Sequence, residues 1–254
     1  MTRLHAAELT APRAPFTLHP MVTHPPALAH GPIVEAFENV FHVSGLFRMG
    51  PGMTITRNMT IVREGESLCI VNSVRLTDAG EKELEKLGQV RHLVRIGAAH
   101  GADDPYFVAR YRPKLWGPKG IRHKQGLSSD EELTATNSPV ARVKPFIFTH
   151  GRTAEAALVI EQDGGIMVAC DSYQNWTTYD GCSLLAKASL VAMRFGPAMI
   201  GGPWARMMGP EIVQDFDRIL ELPFRHLLSG HGTPLMNDAR ERLSEAKRRR
   251  FGPS

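Results

Sequence analysis

Five residues stand where an apolar run gives way to a turn and carry side chains able to hold a divalent metal: His100, Asp104, His150, Asp171 and His231. Imidazole and carboxylate are the usual ligands of zinc, iron and manganese, and a catalytic site needs several of them converging while one coordination position stays open. A single His or Asp means little, because most cap a helix, face solvent or satisfy a core hydrogen bond. Weight comes from repetition of context. The run 90–96 delivers the loop 97–105, which contains His100, Asp103 and Asp104, and 146–148 delivers Thr149-His150-Gly151. The run 165–170 ends at Asp171, and 227–228 leads into Ser229-Gly230-His231-Gly232. Four strand ends bearing His or Asp can meet at one sheet edge, and loops on a rigid scaffold are where chemistry is usually built.

The elements that must position these residues read as a mixed α/β chain. Residues 39–43 predict a first strand, 50–52 a turn, and 59–62 with 67–72 a hairpin about 63–66. Asp78 and Glu81 can form a capping box, Leu84 and Leu87 supply an apolar face, and Gly88 stops the helix. Residues 237–251 predict a terminal helix. That helix ends on Lys247, Arg248, Arg249 and Arg250, cations that complement its dipole. The apolar stretch 183–204 is interrupted by Lys187, Arg194, Pro197 and Pro203, costly in a bilayer, and is expected to form short helices over a pocket or interface. No membrane partner is expected from it.

Bulk properties set the frame. A chain of 254 residues fits one domain, and 23 Gly with 18 Pro favour a loop-rich fold over a helical bundle. Residues 1–38 are read as an extended N-terminal arm and 39–254 as a single domain. The arm's His5, His19, His24 and His30 lack a rigid framework and predict no site, and His92 and His226 lie within strands. Three cysteines without a CxxC pair suggest neither a disulfide framework nor a thiolate zinc site, and Cys170 alternates away from the face that displays Asp171. With no basic start followed by an apolar core, a cytoplasmic protein is expected. A net charge of +4 without an extended basic and aromatic pattern predicts no nucleic-acid partner.

The order and context of the polar residues resemble the metallo-β-lactamase-like superfamily, over roughly residues 40–251. There a motif His-x-His-x-Asp-His is followed by a lone His, an Asp and a late Gly-His-Gly. Here the first motif reads His100-Gly101-Ala102-Asp103-Asp104-Pro105, so Ala102 and Pro105 stand at two His positions. Thr149-His150-Gly151-Arg152-Thr153 is similar to the lone-His segment, Ala169-Cys170-Asp171 to the Asp segment, and Ser229-Gly230-His231-Gly232-Thr233-Pro234 to the final motif. The resemblance implies a four-layer αββα sandwich holding one or two divalent metal ions, zinc first, with iron or manganese as alternatives. It places His100 and His150 on the first metal, Asp104 and His231 on the second, Asp171 as a bridge, and Asp104 as the group orienting water. Asp103 can replace a lost ligand. A second register sets Ala98, His100 and Asp103 at the three His positions.

Three readings follow. One is a hydrolase that uses a metal-activated water on a small ester, thioester, lactone, amide or phosphoester, with Tyr106, Asn175 and Trp176 contacting the small-molecule substrate. Another is a non-catalytic, ligand-binding relative that has lost metal ligands. The third is an iron-dependent redox enzyme on the same scaffold. Fold-level analogy does not choose the substrate.

Overall fold

A computed structural model describes residues 24–252. Alternation along the strands explains its layers, because successive side chains of a strand point to opposite faces. The first sheet runs in the order β1 (Val34–Phe37), β2 (Val40–Gly50), β3 (Met53–Glu64), β4 (Ser67–Val71), β5 (Gln89–Val94), β6 (Lys114–Gly117) and β7 (Glu131–Glu132). The second contains β8 (Val143–Ile147), β9 (Ala156–Ile160), β10 (Ile166–Ala169) and β11 (His226–Ser229), ordered β11-β10-β9-β8. Val40, Val62, Val71 and Val94 of the first sheet face Leu158, Ile160, Val168 and Leu228 of the second. Their sequence neighbours Phe41, Ile61, Ile70 and Leu93 point the other way.

Those outward faces are covered by helices. On the first sheet lie α1 (Asp78–Leu87) and α2 (Asp104–Tyr111), through Leu84 and Phe107. After α3 (Leu184–Ala192), the helices α4 (Gly202–Met208), α5 (Val213–Ile219) and α6 (Ala239–Phe251) cover the second sheet through Trp204, Phe216 and Leu243, with a 3-10 turn at Pro210–Ile212 between α4 and α5. The result is a four-layer αββα sandwich.

Several local expectations are corrected. Val34–Phe37, placed in the arm by the sequence, pair antiparallel with β2. The cap of α1 is Thr77, whose hydroxyl accepts from the Gly80 N–H at 3.3 Å, and Glu81 instead receives the Tyr106 hydroxyl. His30 accepts from the Thr77 N–H at 3.0 Å and His24 meets the Tyr106 ring edge-on, so this end of the arm is fastened to the outer helices. His5 and His19 lie outside the described residues. The cations ending α6 do more than face solvent. Arg249 donates to the Ala198 carbonyl at 2.7 Å, Arg250 to that of Gly202 at 3.3 Å, and Lys247 pairs with Asp217. They tie the approach to α4, its first residue and α5 to the terminal helix.

Burial of His42 on β2 sets a pH dependence. Desolvation pushes its imidazole down to about 4 from 6.5, and its Nδ1 is buried without a partner. Above pH 6.5 folded and unfolded chains are both neutral here; as pH falls, the unfolded chain takes the proton first. Stability is therefore expected to drop between pH 6.5 and 4, by up to about 3 kcal/mol from this residue. Thermal unfolding across that range should show the decline, and His42→Gln should flatten part of it.

Candidate metal centre

Strand register builds the centre. β10 and β11 are parallel neighbours with Ala169 opposite Ser229, so Asp171 and His231 each emerge two residues beyond a paired position. β5 ends at Val94 in the facing sheet, and the loop after it brings His100 across. The Ala156 N–H donates to the Ile96 carbonyl at 2.8 Å and stitches the two sheets together there. Arg95, 1% exposed, clamps the loop from below by donating to the Gly97 and Ala98 carbonyls at 3.3 and 2.7 Å. The Ala98 N–H in turn donates to the Glu155 carboxyl at 3.1 Å. Burial pushes Glu155 well above the usual carboxylate range, so the floor adds little negative charge beside Asp171.

The three side chains meet closely. His100 Nε2 lies 3.1 Å from His231 Nε2 and 3.5 Å from Asp171 Oδ2, and His231 Nε2 lies 3.3 Å from Asp171 Oδ1. Among the described residues they form a group of His, Cys, Asp or Glu whose ligand atoms all lie within 4.8 Å of one another. Burial lowers the His100 imidazole, only partly opposed by Asp171, which favours the neutral form a metal needs. Burial would raise Asp171, yet His100 and His231 draw its carboxyl below the usual range, leaving an anion.

Neighbours fix each ligand. His231 Nδ1 donates to the Thr56 carbonyl at 2.9 Å, which turns the Nε2 lone pair toward His100 and Asp171. Trp176 stacks on the His231 ring at 5.7 Å and 15°. Its indole N–H donates to Gln174 Oε1 at 2.6 Å, and the Gln174 amide donates to Asp171 Oδ1 at 3.0 Å. Asn58 on β3 holds the Ser229 and Gly232 carbonyls at 2.9 and 2.8 Å. Gly230 lets His100 approach: a Cβ there would sit 3.0 Å from His100 Cε1. At Gly232, φ is +80° and a Cβ would collide with the Asn175 carbonyl.

The donor set suits a metal. Bonds of about 2.0–2.1 Å in tetrahedral array put ligand atoms roughly 3.3 Å apart, and the observed separations are 3.1, 3.3 and 3.5 Å. Two imidazole nitrogens facing at 3.1 Å, one with its lone pair fixed, also require a proton or a cation between them. Two imidazoles and one carboxylate leave positions open for water or substrate.

Other sequence candidates go elsewhere. His150 follows β8, two strands from β10, a separation of roughly 10 Å. Its Nδ1 lies 3.0 Å from Asp215, which also accepts from the Thr149 and His150 N–H groups and from Arg218. Asp104 opens α2, buried, accepting from the Ser73 hydroxyl at 2.6 Å and lying 3.8 Å from Arg95. Asp103 pairs with Arg57 and accepts from the Arg75 N–H at 2.5 Å. Tyr106, turned outward by α2, lies against Arg75 and His24 on the outer helical layer. Asn175 is consumed by structure, donating to Thr233 and accepting from the Ala198 N–H at 3.0 Å.

The centre opens on a cleft of about 320 Å³. Phe47, Met49 and Ile55 of the β2–β3 hairpin form one lip; Leu190, Met193, Phe195, Trp204 and Met207 form the other. The segment 183–204 therefore supplies part of the wall, as its broken apolar sequence predicted. Trp176, Ala102 and Arg57 line the cleft beside the ligands, whereas Tyr106 and Asn175 do not.

No family model matches the sequence, and no curated protein does. The fold has counterparts among solved structures. The metallo-β-lactamase FIM-1 from Pseudomonas aeruginosa, solved in a mono-zinc form, is 12% identical with a TM-score of 0.59, over 90% of this chain and 99% of that one. VMB-1 is 13% identical with a TM-score of 0.58, over 85% and 94%. A metallo-β-lactamase from Erythrobacter litoralis is 13% identical with a TM-score of 0.55, over 85% and 92%.

Proposed function

We propose, from a chain whose fold is metallo-β-lactamase-like, a hydrolase that uses one divalent metal held by His100, Asp171 and His231. The observation that carries this reading is the convergence of those three ligands at the base of a largely apolar cleft. A structural neighbour, FIM-1, is known in a mono-zinc form, which supports reading one ion here. A metal bound there supplies Lewis acidity and acidifies water toward a pKa of ~7. Zinc is proposed first, with iron and manganese accepted by the same donors.

The chain's own groups do the rest. His100 and His231 present their Nε2 atoms, and Asp171, oriented by the Gln174 amide, contributes the anionic ligand. Arg57 presents a guanidinium beside the ligands, where it can stabilise charge developing on a substrate oxygen. The two lips exclude water and hold an apolar acyl group. Asp104, which accepts from Ser73 and lies 3.8 Å from Arg95, is assigned to support rather than to orienting water.

The apolar lips favour an ester, thioester, lactone or amide with a hydrophobic acyl part over a phosphoester. Zinc-loaded protein tested on p-nitrophenyl esters of increasing acyl length should show kcat/KM rising with length, and activity lost to chelation should return with zinc. Hydrolysis indifferent to chelator, or confined to a phosphoester, would contradict the proposal.

A further inference from the structure

The helix α3 has the composition of a buried element in an exposed place. Its sequence LLAKASLVA contains Lys187 and Ser189 as its only polar side chains. Ala186 and Leu190 face inward, yet Leu184, Leu185 and Val191 are 85%, 53% and 60% exposed. A surface helix normally turns a charged face outward, and one that is apolar all round normally sits in a core or a lipid environment. Helix α6, with four charged positions before Lys247, shows how this chain treats water elsewhere. The neighbouring lips continue the pattern. Met49, Met193 and Met207 line the mouth of the cleft and are 58%, 46% and 40% exposed. Of the eight large apolar side chains exposed among the described residues, three therefore line this cleft and three more stand on α3, whose Leu190 lines it as well.

Charge on the two lip segments has one sign. Residues 39–63 and 181–210, which make the two lips, contain no Asp or Glu. They carry Arg48, Lys187, Arg194 and Arg206, none of which takes part in an ion pair among the described residues. Exposed apolar side chains rimmed by unpaired cations suit an interface that is apolar below and anionic at its surface.

We propose that the two lips of the cleft dock on an anionic lipid surface, with α3 lying in the headgroup region and the mouth of the cleft facing the bilayer. The expectation of no membrane partner rested on Lys187, Arg194, Pro197 and Pro203, which prevent a span. A helix lying flat has no such constraint, and indeed no helix among the described residues is long and apolar enough to cross a membrane. A second copy of the chain would find the same cations on its own lips and repel them.

Vesicle co-sedimentation of the full chain tests the proposal independently of any metal. Binding is expected to vesicles of phosphatidylglycerol and phosphatidylcholine in equal parts, to fall steeply with salt, and to be much weaker to phosphatidylcholine alone. Replacing Arg48, Lys187 and Arg194 together by Ser should weaken binding roughly 100-fold, at about five-fold per cation. Leu184→Ser with Leu185→Ser should weaken it too, with thermal unfolding unchanged because both side chains are exposed. Asp171→Ala should bind vesicles as the parent does, so failure of the hydrolase reading would leave this result standing. No binding to anionic vesicles, or binding unmoved by these substitutions, would overturn the proposal. A dimer in analytical ultracentrifugation that the Leu substitutions dissociate would also overturn it.

Discussion

Asp171→Ala is expected to empty the metal centre and with it the hydrolytic activity. Asp171 is the one carboxylate that touches both imidazoles, at 3.5 and 3.3 Å, and no other acid among the described residues joins the group. Without it two imidazoles remain, enough to bind zinc weakly but with no anion to balance its charge. Loss of an outer partner of a ligand typically costs 10–100-fold in metal affinity, so loss of the anionic ligand should cost more than about 100-fold. Gln174→Leu gives the graded comparison. It removes a 3.0 Å hydrogen bond to Asp171 Oδ1 and should weaken metal binding roughly 10–100-fold while the ligand stays. Competition with a fluorescent zinc chelator ranks parent, Gln174→Leu and Asp171→Ala. Equal affinities for parent and Asp171→Ala would remove Asp171 from the centre.

Arg95→Met is expected to be strongly destabilising. Arg95 and Asp104 are each 1% exposed in the side chain, and their 3.8 Å separation is the nearest compensation Asp104 has for its charge. Removing one member of a buried pair leaves the other uncompensated, at about 3–5 kcal/mol. Desolvation already raises the Asp104 carboxyl despite Ser73 and Arg95, so without the guanidinium it would move further toward the neutral acid. The loop carrying His100 would also lose its clamps on Gly97 and Ala98. Chemical denaturation measures the loss, and Arg95→Met with Asp104→Leu should recover part of it by removing the orphaned charge. A single variant within about 1 kcal/mol of the parent would show that the pair contributes little.

These two variants mark where sequence reasoning reached and where it stopped. Asp171 and His231 were legible because strand periodicity locates the ends of β10 and β11, and parallel pairing carries that register into space. His100 was legible as the imidazole of the loop after β5. Asp104, Asp103 and His150 had the same side-chain chemistry at similar strand ends, but chemistry does not reveal the partner. Arg95, Arg57 and Asp215 engage them through contacts that no local spacing encodes. The supporting residues were harder still. Thr56 acts through its backbone carbonyl, and Asn58 reaches residues more than 170 positions away. Gln174 left a faint signal, an amide three residues after Asp171, within reach across one turn. In the fold, alternation along β2 to β5 was readable, whereas the pairing of Val34–Phe37 depends on β2 lying alongside.

The most direct test of a single metal on His100, Asp171 and His231 is an anomalous-scattering difference map from crystals of the zinc-loaded protein, collected on either side of the zinc edge. One peak is predicted, within about 2.0–2.2 Å of His100 Nε2, His231 Nε2 and an Asp171 carboxylate oxygen. A peak between His150 and Asp215, or none at the base of the cleft in protein that retains zinc, would contradict it.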